Sequence, residues 1–137
     1  MSFYLTKMRK ILLAILVFII GVASFTQCQQ SAEFDITVDQ FLLVKDEGNA
    51  IILDVRTEDE YNNGHIENAI LLNLHAREFP EKIKDLNIEN TYYVYCRSGA
   101  RSRSAVKLMR EKGFSKAFNI KGGILQLTSK GIDLVSE

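Results

Sequence analysis

The chain of 137 residues is poor in the residues that punctuate or staple a polypeptide, with one proline, no tryptophan and two cysteines. One proline and eight glycines exclude a collagen-like or low-complexity chain. Two cysteines are too few for a disulfide-stapled mini-domain. Net charge is missing as well, since 17 basic residues meet 17 acidic ones. What is there, 47% hydrophobic and 25% charged residues, fits one ordinary globular domain. The two histidines and the one cysteine beyond residue 28 cannot assemble a metal site, so no metal and no organic cofactor is expected.

The neutral total conceals three regions. Lys7, Arg9 and Lys10 precede an apolar run of 13 residues from Ile11 to Ala23, the pattern of a signal peptide. Such a run is shorter than the roughly 20 residues that span a bilayer, and its extension to Phe25 keeps an uncleaved anchor open. A buried core helix would show a polar stripe, and this run has none. Cys28 follows, with Gln29, Gln30 and Ser31 behind it. The arrangement resembles a bacterial lipoprotein signal, which implies a lipid on Cys28, although Gln27 stands where that signal has a small residue. The alternative is a cut after Ala23 or Thr26 that leaves Cys28 as a free thiol. Either route exports the protein, to the periplasm or to a membrane anchor. The expected organisation is therefore a signal peptide or anchor over 1–28, a polar tether over 29–33 and one domain over 34–137.

Beyond Cys28 the chain carries 14 basic against 17 acidic residues, unevenly placed. Residues 29–96 hold five basic and 14 acidic side chains, whereas 97–137 hold nine basic and three acidic. A basic stretch of this size marks either an anion site or a solvated helix face. No nucleic-acid partner is expected, and oligomeric state is not encoded in these patterns.

Short apolar runs at 50–53, 69–72, 91–95 and 117–120 have strand length without alternation, as strands covered on both faces do. Helical patterns fall between them. Thr37 is placed to cap a helix through about Lys45, and Thr57 another through about Tyr61. Ala105, Leu108 and Met109 have helical spacing ahead of a terminating Gly113, with the helix starting near Ser102. Strands alternating with helices predict an α/β fold with a mostly parallel sheet.

The densest chemistry lies at Cys96-Arg97-Ser98-Gly99-Ala100-Arg101-Ser102. An apolar strand ends on a cysteine, a loop of small residues follows, and a helix begins. Backbone N–H groups of such a loop converge on one point, and the positive end of the helix reinforces them. The same field favours a thiolate over a thiol, whose ordinary pKa is about 8.5. An inert buried cysteine would not be followed by two arginines within five positions. Arg97 and Arg101 are placed to hold an anion, while Arg103, Lys107 and Arg110 are expected to line the helix surface.

Together with Leu53-Asp54-Val55-Arg56, Glu60-Tyr61, Gly64-His65-Ile66 and Ala69 upstream, and Asn119 with Gly122-Gly123-Ile124 downstream, this loop resembles the rhodanese family of single-domain sulfurtransferases. The resemblance covers roughly Phe34 to Val135. It implies a three-layer fold with a central sheet of about five mostly parallel strands flanked by helices. It implies that Cys96 is catalytic, taking a sulfane sulfur from a small anionic donor such as thiosulfate and passing it to cyanide or a thiol acceptor. Residues Arg97, Ser98, Gly99, Ala100, Arg101 and Ser102 would then bind substrate, with Asp54 and Arg56 pairing to support the loops.

The scheme needs no general base, which leaves His65 a structural residue of its turn and gives His75 no role. A cysteine phosphatase or arsenate reductase uses a similar cradle, but it needs five residues between cysteine and arginine, and four separate Cys96 from Arg101. A sulfur-carrier or protein-interaction module is the remaining alternative. One departure from the family bears on it: Leu127 stands where many relatives carry a tryptophan, and its loss is expected to alter packing beside the active-site mouth.

Overall fold

The computed structural model describes residues 7–13, 15 and 34–136, which fall into two units, Met1–Glu33 and Phe34–Glu137. In the first unit the described residues 7–13 and 15 are helical. No described helix is long and apolar enough to cross a membrane. Cys28, the tether 29–33 and most of the apolar run lie outside the described residues.

The second unit is built on a five-stranded sheet in which every pairing is parallel, in the order β1-β6-β5-β2-β4. Its strands are β1 (Asp35–Ile36), β2 (Ala50–Asp54), β4 (Ile70–Leu71), β5 (Thr91–Tyr95) and β6 (Ala117–Ile120). A separate antiparallel ribbon joins β3 (His65–Ile66) to β7 (Leu134–Val135). Central strand β5 shows why its sequence does not alternate. Tyr92 and Val94 point into one core with Leu53, Phe79, Met109 and Phe114, while Tyr93 and Tyr95 point into another with Phe41, Ile120 and Leu127.

Helices α3 (Phe79–Lys82) and α4 (Ala100–Glu111) cover the first face, followed after α3 by a single 3-10 turn, Ile83–Asp85. Helices α1 (Val38–Val44) and α5 (Gly123–Ser129) cover the second. Full burial of side chains such as Phe41, Phe79 and Met109 stabilises this three-layer arrangement by about 1.5–3 kcal/mol each. Short α2 (Glu58–Asn62) leads into the ribbon.

Thr37 and Thr57 cap α1 and α2 through complete capping boxes, with Gln40 and Glu60 answering from the third helical position. Three expectations need adjustment. Helix α4 begins at Ala100, not near Ser102, because Gly99 takes a left-handed φ of 98° and turns the chain directly into the helix. Strand β4 keeps only two residues at the sheet edge, where Ile70 is exposed. Arg110 does not lie on a solvated face: it is half-buried, stacks over the rings of Phe34 and Phe118 and donates to the Ala117 carbonyl at 3.0 Å.

The chain leaves β2, adds β4 on one side and returns to add β5 on the other. The carboxyl ends of β2 and β5 therefore frame a crevice at the point where the strand order reverses, the usual ligand position in open α/β sheets.

Candidate active site

Cys96 directly follows β5 and is 1% exposed. Its Sγ accepts hydrogen bonds from the Gly99 N–H at 3.1 Å and lies 3.4 Å from the Ser102 hydroxyl. Burial pushes the thiol up, but the Ser102 hydroxyl and the backbone N–H groups of Ser102, Ser98 and Gly99 together hold it below its ordinary value. The side chains of Arg97, Ser98 and Ala100 face solvent, so Ser98 acts through its backbone.

The loop is aimed from behind by α5. The N–H groups of Ile124 and Leu125 donate to the carbonyls of Cys96 at 2.8 Å and Arg97 at 3.3 Å. With those carbonyls drawn toward α5, the following amides turn toward the sulfur. Such an approach requires glycine at position 123, where φ is 55° and an added Cβ would overlap the Cys96 carbonyl oxygen and lie 2.7 Å from that of Arg97.

The flanking charges are already engaged. Arg101 makes a two-pronged ion pair with Glu60, both contacts 2.7 Å. The Arg101 hydrogen bonds, acting against partial burial and helped by Thr57, pull the Glu60 carboxyl down to about 2. Arg56 donates Nε and Nη2 to Asp54 and Nη2 to the Gly64 carbonyl at 2.7 Å, with its guanidinium over the Tyr95 ring. This buried pair ties the end of β2 to the Gly64 turn. His65 is buried, stacks on Tyr61 and places Nδ1 3.0 Å from the Tyr61 carbonyl. Arg97 has no ion pair among the described residues.

An open cavity of about 350 Å³ beside the loop is lined by Arg97, Arg56 and Glu60 together with Ile124, Leu125 and Leu134. A larger groove of about 570 Å³, at Ile51, Ile70 and Asp133, holds no cysteine, serine or histidine and is not the site of this chemistry. Among the described residues no cluster of His, Cys, Asp and Glu could hold a metal ion.

Residues 37–130 match the rhodanese-like domain. The chain belongs to the rhodanese-like family. A sulfurtransferase of Allochromatium vinosum is 30% identical over 91 residues, covering 66% of this chain and 83% of that protein. A tRNA uridine(34) hydroxylase of Cytophaga hutchinsonii is 33% identical over 90 residues, which are 64% of this chain and 29% of the hydroxylase. The chain thus spans less than a third of that larger relative. In structure it is similar to a rhodanese-related protein of Thermoplasma volcanium, with a TM-score of 0.67, 29% identity and coverage of 75% of this chain and 98% of that one. The mostly parallel five-strand sheet with flanking helices is thus the fold of its rhodanese-like neighbours.

Within this rhodanese-like frame Leu127 does not border the mouth. It is fully buried in the second core and absent from the cavity lining. Two residues escaped the sequence reading as site members. Glu60 stood only within the family motif, and its ion pair with Arg101 spans 41 positions. Asn119, a polar residue inside an apolar strand run, was a signal in itself: it is fully buried and accepts the Ser102 hydroxyl at 2.6 Å.

Proposed function

We propose that this chain transfers a sulfane sulfur through a Cys96 persulfide, with thiosulfate or a related anion as donor. The observation that carries the reading is the convergence of the Gly99 N–H and the Ser102 hydroxyl on one buried sulfur just after β5. The Cys96 thiolate attacks the outer sulfur of thiosulfate; a new S–S bond forms, the old one breaks, and sulfite leaves with the bonding pair. The persulfide anion then keeps its charge within reach of the amide cradle. Attack by cyanide or a thiolate on the outer sulfur releases the product and returns the Cys96 thiolate. Because Arg101 is held by Glu60, Arg97 at the cavity supplies the mobile positive charge for the donor.

The acceptor surface includes two exposed leucines, Leu125 and Leu134. They favour a thiol carried on a peptide or protein over cyanide as the physiological acceptor. The basic-then-apolar pattern over 1–28, read as a signal peptide or membrane anchor with or without a lipid on Cys28, supports a reaction outside the cytoplasm.

The purified full chain incubated with thiosulfate and cyanide is expected to yield thiocyanate, and Cys96→Ala is expected to abolish it. Thiocyanate formation that survives this substitution overturns the mechanism. No turnover of an aryl phosphate is expected. Intact mass of the protein from its native membrane fraction reads out the mature N-terminus and any lipid.

A further inference from the structure

Ser102 and Asn119 are both fully buried, and both sit behind the Cys96 sulfur. A serine hydroxyl has one proton to donate, and two acceptors surround this one. Asn119 Oδ1 is 2.6 Å from Ser102 Oγ, and Cys96 Sγ is 3.4 Å away. The orientation of the Asn119 amide is fixed from its other end, where Nδ2 donates to the Asp35 carboxylate at 2.7 Å. A carboxylate only accepts, so Oδ1 must face Ser102. Arg103 holds Asp35 in turn through a 2.6 Å ion pair. No buried side-chain N or O atom among the described residues lacks a partner, so the network is complete as it stands.

Its two protonation states use the same hydroxyl differently. With Cys96 as a thiol, S–H donates to Ser102 Oγ and the Ser102 proton goes to Asn119, leaving every group paired. With Cys96 as a thiolate, the sulfur already accepts the Gly99 N–H and draws on the hydroxyl as a further donor, a role the hydroxyl can fill only by leaving Asn119 Oδ1 without one. A buried acceptor without a donor costs free energy.

We propose that Asn119 is a positioning residue that competes with the Cys96 sulfur for the Ser102 hydroxyl proton and thereby sets the pH at which Cys96 ionises. The inference rests on the reading of Cys96 as the nucleophile. Asn119 reaches the sulfur through Ser102, while its other end is held by Asp35. Of the charged groups near this site, Arg101 on α4 acts on the sulfur, Glu60 from α2 holds Arg101, the Asp35–Arg103 pair lies beyond Asn119, and Arg97 and the Asp54–Arg56 pair flank the loop. None of them is removed in the variants below.

The test is the pH dependence of iodoacetamide alkylation in the full chain, followed at Cys96 by peptide mass spectrometry so that Cys28 does not contribute. Removing the competing acceptor with Asn119→Leu, or with the strand-favouring Asn119→Val, is expected to lower the midpoint by about half to one pH unit, the equivalent of one hydrogen bond. Ser102→Ala is expected to raise it by a similar amount. The double variant Ser102→Ala/Asn119→Leu is expected to titrate like Ser102→Ala, because Asn119 then has no proton to hold. A midpoint that rises or stays in both Asn119 variants, or a double variant that departs from Ser102→Ala, overturns the proposal. A merely structural Asn119 would not produce opposite signs. Alkylation needs no sulfur donor, so failure to form thiocyanate with this titration order intact overturns the sulfurtransferase reading and leaves the role of Asn119 standing.

Discussion

Helices α1 and α2 differ from α4 and α5 in how their first turns are closed. A threonine caps each of the first two and accepts the N–H three positions on, from Gln40 or Glu60. Helices α4 and α5 instead start at left-handed glycines, Gly99 and Gly122, with no side-chain cap. Their N–H groups still require acceptors. At the start of α4 the Gly99 amide finds the Cys96 sulfur, and in α5 the Ile124 and Leu125 amides find the carbonyls of the cysteine loop. The threonine-capped helices close their own first turns, whereas α4 and α5, started by left-handed glycines, close on each other through the cysteine loop.

The sharpest way to break this contrast is Gly123→Ala. The new Cβ collides with the Cys96 and Arg97 carbonyls and forces a left-handed alanine, at a cost of about 3 kcal/mol. Urea unfolding should register that loss, and thiocyanate formation should fall by about tenfold or more as the amides turn away from the sulfur. Next comes Thr37→Ala, which removes an ordinary cap. It should cost about 1 kcal/mol in the same unfolding experiment while leaving the alkylation midpoint of Cys96 unchanged. A shift of that midpoint would show that the two kinds of helix are not independent.

The smallest effect concerns Glu60, which belongs to both sides: it completes the Thr57 capping box and holds Arg101. Its carboxyl is depressed from 4.5 to about 2, chiefly by the Arg101 hydrogen bonds. A depressed acid stabilises the fold fully above its unfolded value and loses that contribution as pH falls. The stability gap between the natural chain and Glu60→Gln should therefore be constant above about pH 4.5 and close as the pH approaches 2. The pair is partly exposed, so the gap is expected to be small and to shrink further in salt.

How far the sequence could be read follows the same division. Thr37 and Thr57 announce α1 and α2 because a cap and its answering Gln or Glu lie within four residues, and β5 and β6 announce themselves as apolar runs. The ribbon of β3 and β7, two residues each, has no periodicity to detect. Helix α5 was hidden by the glycines that begin it, although Ile124 and Leu127 have helical spacing. The loop from Cys96 to Ser102 could be recognised as a cradle because its parts are contiguous. The partners that finish it, Glu60 for Arg101 and Asn119 for Ser102, come from other elements and meet only when the sheet is assembled.

The depth of Cys96 has a consequence for what can react with it. The sulfur of a cysteine that is 1% exposed cannot come within the roughly 2 Å needed for a disulfide with the same sulfur of a second molecule. On the proposed mechanism a slim donor that ends in a single sulfur atom enters, and the sulfur it leaves behind extends the side chain outward by about one S–S bond length. On that mechanism the cysteine is recessed when empty and proud when loaded, so it is shielded from pairing with a second molecule and its reach reports whether it holds cargo.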